Sequence, residues 1–380
     1  MQHSFRDAFD IPADVAYFNS ASLGPPLTAV AEAGRSAIDR CTERWKIGTA
    51  DWFGRPEQLR AEFAQLVGTP TDSVALVPSA SYGIAVAARN IPLGRGDTIV
   101  IVAEQYPSNV YAWRRRAAET GATIITVDKQ PTVPLTDAVL RAIDSKTGLV
   151  AIPNCHWTDG ELIDVVAVSD AARSAGAALV IDASQSLGIR PIDFDVVQPD
   201  FVVCVGYKWL LGPYGLSYLV ASDHWCEHGV PIEETWVARR GSENFAELVN
   251  YTDFYRDGAR RFDCGEFSQF INVPMATAAV SQLNAWGRDT IQAAFAERAE
   301  RVRAIAASVG LDVRPRERSV EHIIGVALPD IATAESLAKD LAAANVFAGV
   351  RGSNLRIASH LHSNDADFER LDKALRESFD

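Results

Sequence analysis

Lys208 stands alone in an apolar stretch, VVCVGYKWLLGPYGLSYLV, which runs from 202 to 220. A buried ammonium is costly unless it is paired, neutralised or used chemically. An earlier apolar run, AALVIDASQSLG, ends in Asp182, with Ser184 and Gln185 just beyond it. From 182 to 208 is a separation of 26 residues, the span of one strand–helix–strand step. Neighbouring strand ends therefore deliver an acid and an amine to one pocket. A lysine that forms a Schiff base with an aldehyde, and an acid that keeps a pyridine nitrogen protonated, are the groups that pyridoxal 5′-phosphate (PLP) requires. The same spacing also suits a structural ion pair, or a lysine that snorkels at a strand end.

Three further strand ends carry polar or aromatic side chains. LVPSASYGIAVAARN runs from a strand through Ser79, Ala80 and Ser81 into a helix. Backbone N–H groups at that helix start suit a phosphate, and Ser79 or Ser81 equally suits an ordinary N-cap. In AEQYPSNVYAW, Tyr106 is either a ring that stacks on a flat cofactor or a tyrosine packed in a loop. In NCHWTDG, His156 and Trp157 are pocket candidates, and a histidine there serves as well in plain hydrogen bonding. Four strand ends converge on one cofactor, which says more than any one of them.

The elements needed to hold these residues are legible. Short apolar runs, SVALVP, DTIVIVA, GATIITV, GLVAIP, AALVIDA, DFVVCVG and GLSYLVA, alternate with helical stretches such as SNVYAWRRRAAET and TDAVLRAIDS. Buried strands alternating with helices predict a mainly parallel sheet covered on both faces, with ligands at the carboxyl ends of its strands. A helix is expected to start at Pro25 and Pro26. Beyond 270, NVPMATAAVSQLNAW opens a long helical region that continues through QAAFAERAERVRAIAASVG. HIIGVALP, ESLAKDLAAA, VFAGV and NLRIASH then read as a small α/β unit. The expected organisation is an N-terminal segment over 1–30 packing with the small domain, a large domain over 31–270, and a long helix with the small domain over 271–380.

The chain has 380 residues, 48% of them hydrophobic, and a formal charge of −13. There is enough apolar surface for a large core, and no basic block that suggests nucleic acid. No signal peptide or membrane span is expected. The five cysteines are scattered without a CxxC pair, so neither zinc nor a disulfide framework is expected. A cytoplasmic enzyme fits these features.

The chain resembles the class V aminotransferase group of fold-type I PLP enzymes, most specifically in IDASQSLG followed by VGYKWLLGPYG. That group includes cysteine desulfurases, kynureninases and isopenicillin-N-epimerase-like proteins. The resemblance implies an α/β fold with a large PLP domain built on a mainly parallel seven-stranded sheet, plus a small α/β C-terminal domain. It implies that Lys208 carries the cofactor and shuttles protons, and that Asp182 pairs with the pyridine nitrogen. Gln185 would lie near the cofactor's phenolic oxygen. Ala80 and Ser81 would hold phosphate with the Tyr207 hydroxyl, and Tyr106 would take the ring-stacking position. Arg356, in NLRIASHLHSND, would grip the substrate carboxylate. Members are usually homodimers with shared sites, which makes Trp236 and Gln269 candidates to reach a partner's cofactor.

Some positions depart from the group. Gly206 stands where a phosphate-holding hydroxyl residue is common. Cys264, Gly265 and Glu266 replace the usual partner threonine segment. Gln269 stands at the kynureninase-like asparagine. No cysteine follows Cys264, which argues against a desulfurase with a protein-borne persulfide. Asn19 to Ser22, His156 and Trp157 are candidates to shape a substrate pocket, each equally suited to packing, and Trp209 reads as a packing residue. The expected activity is a PLP enzyme acting on an α-amino acid, with a preference for a β-eliminating C–S lyase on a cysteine-derived substrate in specialised metabolism. An aminotransferase or a decarboxylating or oxidatively deaminating enzyme is the alternative, and a degenerate, non-catalytic PLP-fold binding protein a further one.

Overall fold

The computed structural model describes residues 5–379. Among these residues, eleven strands form two sheets. They are β1 (Ala16–Phe18), β2 (Val74–Val77), β3 (Thr98–Val102), β4 (Thr123–Val127), β5 (Thr147–Pro153), β6 (Ala178–Asp182), β7 (Phe201–Val205), β8 (Ser217–Ala221), β9 (Ile324–Ala327), β10 (Val346–Arg351) and β11 (Asn354–Ile357). The large sheet has seven strands in the order β2-β8-β7-β6-β5-β3-β4. Only β8 runs against its neighbours. This is the mixed α/β architecture, with a mainly parallel seven-stranded sheet and a smaller second sheet, that the alternating pattern predicts.

Both faces of the large sheet are buried, which explains why its strands are apolar throughout rather than alternating. In β2, Val74 and Leu76 enter one core while Ala75 and Val77 enter the other. The small sheet has the order β1-β10-β11-β9. Its core takes Ala16 and Phe18 from the N-terminal segment together with Val326, Val346, Leu355 and Leu371. The chain's start is thus built into the same sheet as its end. No helix among the described residues is long and apolar enough to cross a membrane.

Two expectations shift. The helix α1 spans Thr28–Thr42, with Leu27 in the capping position, so Pro25 and Pro26 precede it. They belong to an extended lead-in, and Leu27 bridges to Phe9. The long helical region is two helices, Asn272–Trp286 and Arg288–Ser308, broken at Gly287, whose φ of 81° closes the first.

Four histidines are buried, and burial lowers their pKa values: His156 to about 4, His322 and His362 to about 3, and His360 well below 6.5. Below pH 6.5 the unfolded chain binds protons that the folded chain does not. Stability is therefore lost as pH falls from about 6.5 towards 4, by up to roughly 1.4 kcal/mol per histidine per pH unit. Thermal melts should show Tm falling steeply between pH 6.5 and 5. A Tm indifferent to pH over that interval would contradict these neutral, buried imidazoles.

Candidate active site

Asp182 closes β6 and pairs in register with Val203 of β7, so Lys208 leaves the next strand end. The turn between them and β8 is tight. Gly206 donates its N–H to Leu216 O, and Gly212 donates to Gly206 O at 2.8 Å. A Cβ on Gly206 would lie 2.6 Å from Leu216 O, which explains why no hydroxyl residue stands there. The N-terminal segment presses on the same turn. Gly24 donates to Tyr207 O, and a Cβ on Gly24 would lie 2.0 Å from Lys208 O, so only glycine allows this approach.

Lys208 is 5% exposed, and no carboxylate lies within 4 Å of its Nζ among the described residues. Its neighbours are the rings of Tyr106, at 5.1 Å, and Tyr207, at 5.8 Å. Burial lowers its pKa to about 8; Asp182 opposes this, while Arg356 and Arg351 reinforce it. Asp182 is also buried, and its Oδ1 accepts the Ser184 N–H at 3.0 Å. The Ser184 hydroxyl is buried without a partner. The helix α2 (Arg55–Val67) lies behind β2, and α3 (Ala80–Asn90) follows it. Ser79 caps α3, its Oγ accepting from Tyr82 N at 3.2 Å, while the N–H groups of Ala80 and Ser81 have no acceptor among the described residues. Ser81 Oγ donates to Ser108 Oγ, and Tyr207, whose hydroxyl has no hydrogen-bond partner among the described residues, has its pKa raised to about 12 by burial.

Opposite stands Arg356 on β11, fully buried. Its Nη1 donates to Trp157 O at 2.7 Å, and its Nη2 to Ser22 Oγ at 2.7 Å and Asn19 Oδ1 at 3.4 Å. Among the described residues its Nε has no partner and no carboxylate pairs with it. Its cross-strand neighbours are both glycines, Gly349 and Gly325. A Cβ on Gly349 would lie 2.8 Å from Asn19 Oδ1, so the small residue makes room for this cluster. Tyr106, Trp157, Asn19, Asp182, Ser184, Tyr207, Lys208 and Arg356 thus surround one region. Trp157 donates its indole N–H to Glu104 O and meets Tyr106 edge-on, with ring centroids 5.3 Å apart.

Other candidates sit differently. Gln185 is a brace: its Nε2 donates to Ala21 O and its Oε1 accepts from Trp209 Nε1, both at 3.0 Å. His156 does not face the pocket. Its Nε2 lies 3.1 Å from Ala103 O and its Nδ1 2.7 Å from Thr158 Oγ1, and burial keeps it neutral. Its place in the candidate substrate set is therefore corrected to that of a support for the loop bearing Trp157. That loop is clamped further by Asp159, paired with Lys129 and Arg314 at 2.8 Å each. Within one chain, Trp236 packs in an aromatic cluster with Trp52, Phe53 and Phe245. Gln269 donates to Gly215 O and accepts from Asn272. Neither touches the Lys208 region from its own chain.

Sequence reasoning missed Arg351 and understated Ser22 and Gly24. The only local signal was the short spacing of Arg351 and Arg356 across the hairpin residues Gly352 and Ser353. Among the described residues, no group of three or more His, Cys, Asp or Glu side chains is arranged to hold a metal ion.

The residues fit PLP. The Lys208 amine, the Asp182 carboxylate and the uncommitted N–H groups at the start of α3 match the aldehyde, the pyridinium and the phosphate in turn.

The chain matches the Aminotransferase class-V family over residues 51–368. It is similar to an uncharacterized aminotransferase of Bacillus subtilis (strain 168), 28% identical over 313 residues, covering 81% of this chain and 80% of that protein. It is also similar to a kynureninase of Burkholderia mallei, 27% identical, covering 68% of this chain and 63% of that enzyme. Among solved structures, the cystine C–S lyase C-DES in complex with cysteine persulfide shares the fold, with a TM-score of 0.85 at 16% identity, covering 95% of this chain and 97% of that one. With lysine, aspartate and arginine in place and the family match spanning most of its length, the chain belongs to the class-V aminotransferases, a family of PLP-dependent enzymes.

Proposed function

We propose that this enzyme is a lyase that removes the sulfur substituent from a cysteine-derived α-amino acid in specialised metabolism. PLP, when bound, supplies the sink for the electron pair left at Cα. The protein's part is positional and protonic. Arg356 holds the substrate carboxylate through its free Nε edge, a task suited to a planar guanidinium. Lys208 Nζ, its pKa lowered to about 8 by burial, takes the Cα proton and can return it to the departing sulfur. Asp182 would hold the ring nitrogen, Ala80 and Ser81 at the start of α3 would hold the phosphate together with the Tyr207 hydroxyl, and Tyr106 would cover the site. One water is consumed, and the net products are pyruvate, ammonia and the thiol.

The observation that carries the lyase over a desulfurase is the state of the thiols. Cys155, Cys204, Cys226 and Cys264 are buried, and burial pushes Cys155, Cys226 and Cys264 up to about 12. None of these four is placed as a reactive carrier for sulfur, and the half-buried Cys41 lies in the last turn of α1, at the end far from Gly24 and Lys208. The likeness to a cystine C–S lyase supports the same reading. Transamination is the second reading, favoured by the name of the Bacillus relative. Product analysis with S-substituted cysteines separates the two. Pyruvate and ammonia without any added keto acid is the expected result, and a strict need for an amino acceptor would overturn it.

In this reading the enzyme is a cytoplasmic homodimer. Five unpaired cysteines suit a reducing compartment. Exposed aromatics on one segment, Trp236, Phe245, Tyr251 and Phe254, suit a second copy, through which Trp236 and Gln269 would reach a shared site.

A further inference from the structure

Arg351 ends β10 and pairs across the hairpin with Asn354, while Gly349 pairs with Arg356. Directly opposed residues of an antiparallel pair share a face, as do alternate residues along a strand, so Arg351 and Arg356 project from the same face as diagonal neighbours. Their guanidinium groups converge on one atom. Ser22 Oγ accepts from Arg351 Nη2 at 2.9 Å and from Arg356 Nη2 at 2.7 Å, and donates to Asn19 Oδ1 at 2.8 Å. That hydroxyl is saturated. Arg351 spends one further N–H on the carbonyl of Val350 and lies over the Trp157 ring, 5.3 Å from its centroid. Neither arginine has a carboxylate partner among the described residues. Lys208 is close enough to feel both.

Two guanidinium groups that share one hydroxyl and no acid repel each other. A single α-carboxylate accounts for one of them, and Arg356, buried and with a free Nε, is the one placed for it. In a chain with a formal charge of −13, this pocket collects Lys208, Arg351 and Arg356 against Asp182. Half-buried Arg351, at the mouth beside Trp157 and Tyr106, answers to a second anion further along the substrate.

We propose that Arg351 is a specificity-determining residue that recognises an anionic group, a carboxylate or a sulfur oxyacid, on the substrate's side chain. This deepens the reading of the site as one for an α-amino acid, and rests on that reading but not on which bond is cleaved. An acidic side chain completes the charge balance of the two arginines, and a fork-shaped donor at the pocket mouth selects it over its neutral amide.

The test uses PLP-loaded enzyme and three isosteric pairs: L-aspartate with L-asparagine, L-glutamate with L-glutamine, and S-carboxymethyl-L-cysteine with S-carbamoylmethyl-L-cysteine. Dissociation constants are read from the change in the cofactor's absorption on mixing. The acid should bind at least roughly tenfold more tightly than its amide in at least one pair, the worth of one charge-assisted hydrogen bond. In Arg351→Met that ratio should fall to near one, and Arg351→Lys should keep part of it. Arg356→Met should weaken acid and amide alike. Equal binding within every pair in the unaltered enzyme overturns the proposal. So does an unchanged acid-to-amide ratio in Arg351→Met, which would mean that both arginines grip the α-carboxylate. Aspartate and glutamate contain no C–S bond, so a preference for them would stand even if lyase activity were absent.

Discussion

Replacing Lys208 with methionine should lower turnover at least roughly 10³-fold, because it removes both the attachment point of the cofactor and a general base. Loss of activity alone would follow from any damage, so the stability of the PLP-free protein is the sharper readout. Lys208 is buried without an acid partner, and its pKa falls from 10.5 to about 8. That shift corresponds to roughly 3 kcal/mol by which the protonated lysine disfavours the folded state. The cost is present below pH 8 and is relieved as pH rises from 8 to 10.5, where the unfolded chain binds more protons than the folded one. Lys208→Met should therefore be more stable than the unaltered PLP-free protein at pH 7, and this advantage should shrink as pH rises towards 10.5; the buried thiols, whose raised pKa values destabilise both proteins above pH 9, cancel in the difference. Denaturant melts at pH 7 and 10 measure both. A variant that is inactive and also less stable would mean that the lysine is a structural partner, not a functional amine.

Arg356→Met should raise KM for the amino acid by about 10²-fold or more, since a buried charge pair with the substrate carboxylate is lost. Its effect on folding should be small. Arg356 is fully buried but paired with no carboxylate, and burial, with help from Arg351, lowers its pKa to about 9. Removing a desolvated charge that lacks a counter-ion leaves no orphaned partner acid behind. Arg356→Lys should retain the charge but lose the forked geometry, and recover only part of the affinity. Steady-state kinetics with thermal melts check this. A large fall in Tm with KM unchanged would make Arg356 a strut between the two sheets.

The large sheet was legible because its strands are buried on both faces and read as continuous apolar runs. Asp182 and Lys208 stood out for the same reason, as charges at the ends of such runs, although their spacing alone suited a structural ion pair equally well. Gly206 read as a fault, and the structure gives its cause, the close approach of Leu216 O. What local patterns did not carry is the pairing of distant segments. Asn19 bridges to Ala358, which brings Ser22 to Arg351 and Arg356 and Gly24 to Lys208. No periodicity encodes contacts over that separation. His156 was read towards the substrate because a strand end shows where a side chain starts but not which way it turns. The split at Gly287 had a local signal, a glycine within an otherwise helical pattern, that length alone overrode.

Everything proposed for this site depends on Lys208 being the amine that carries the cofactor. Borohydride reduction of the PLP-loaded protein, followed by peptide mass mapping, tests it most directly. One pyridoxyl group per chain is expected, on the peptide containing Lys208, with the visible absorption band lost on reduction and absent from Lys208→Met. A label on another lysine, or a protein that takes up no PLP, would contradict it.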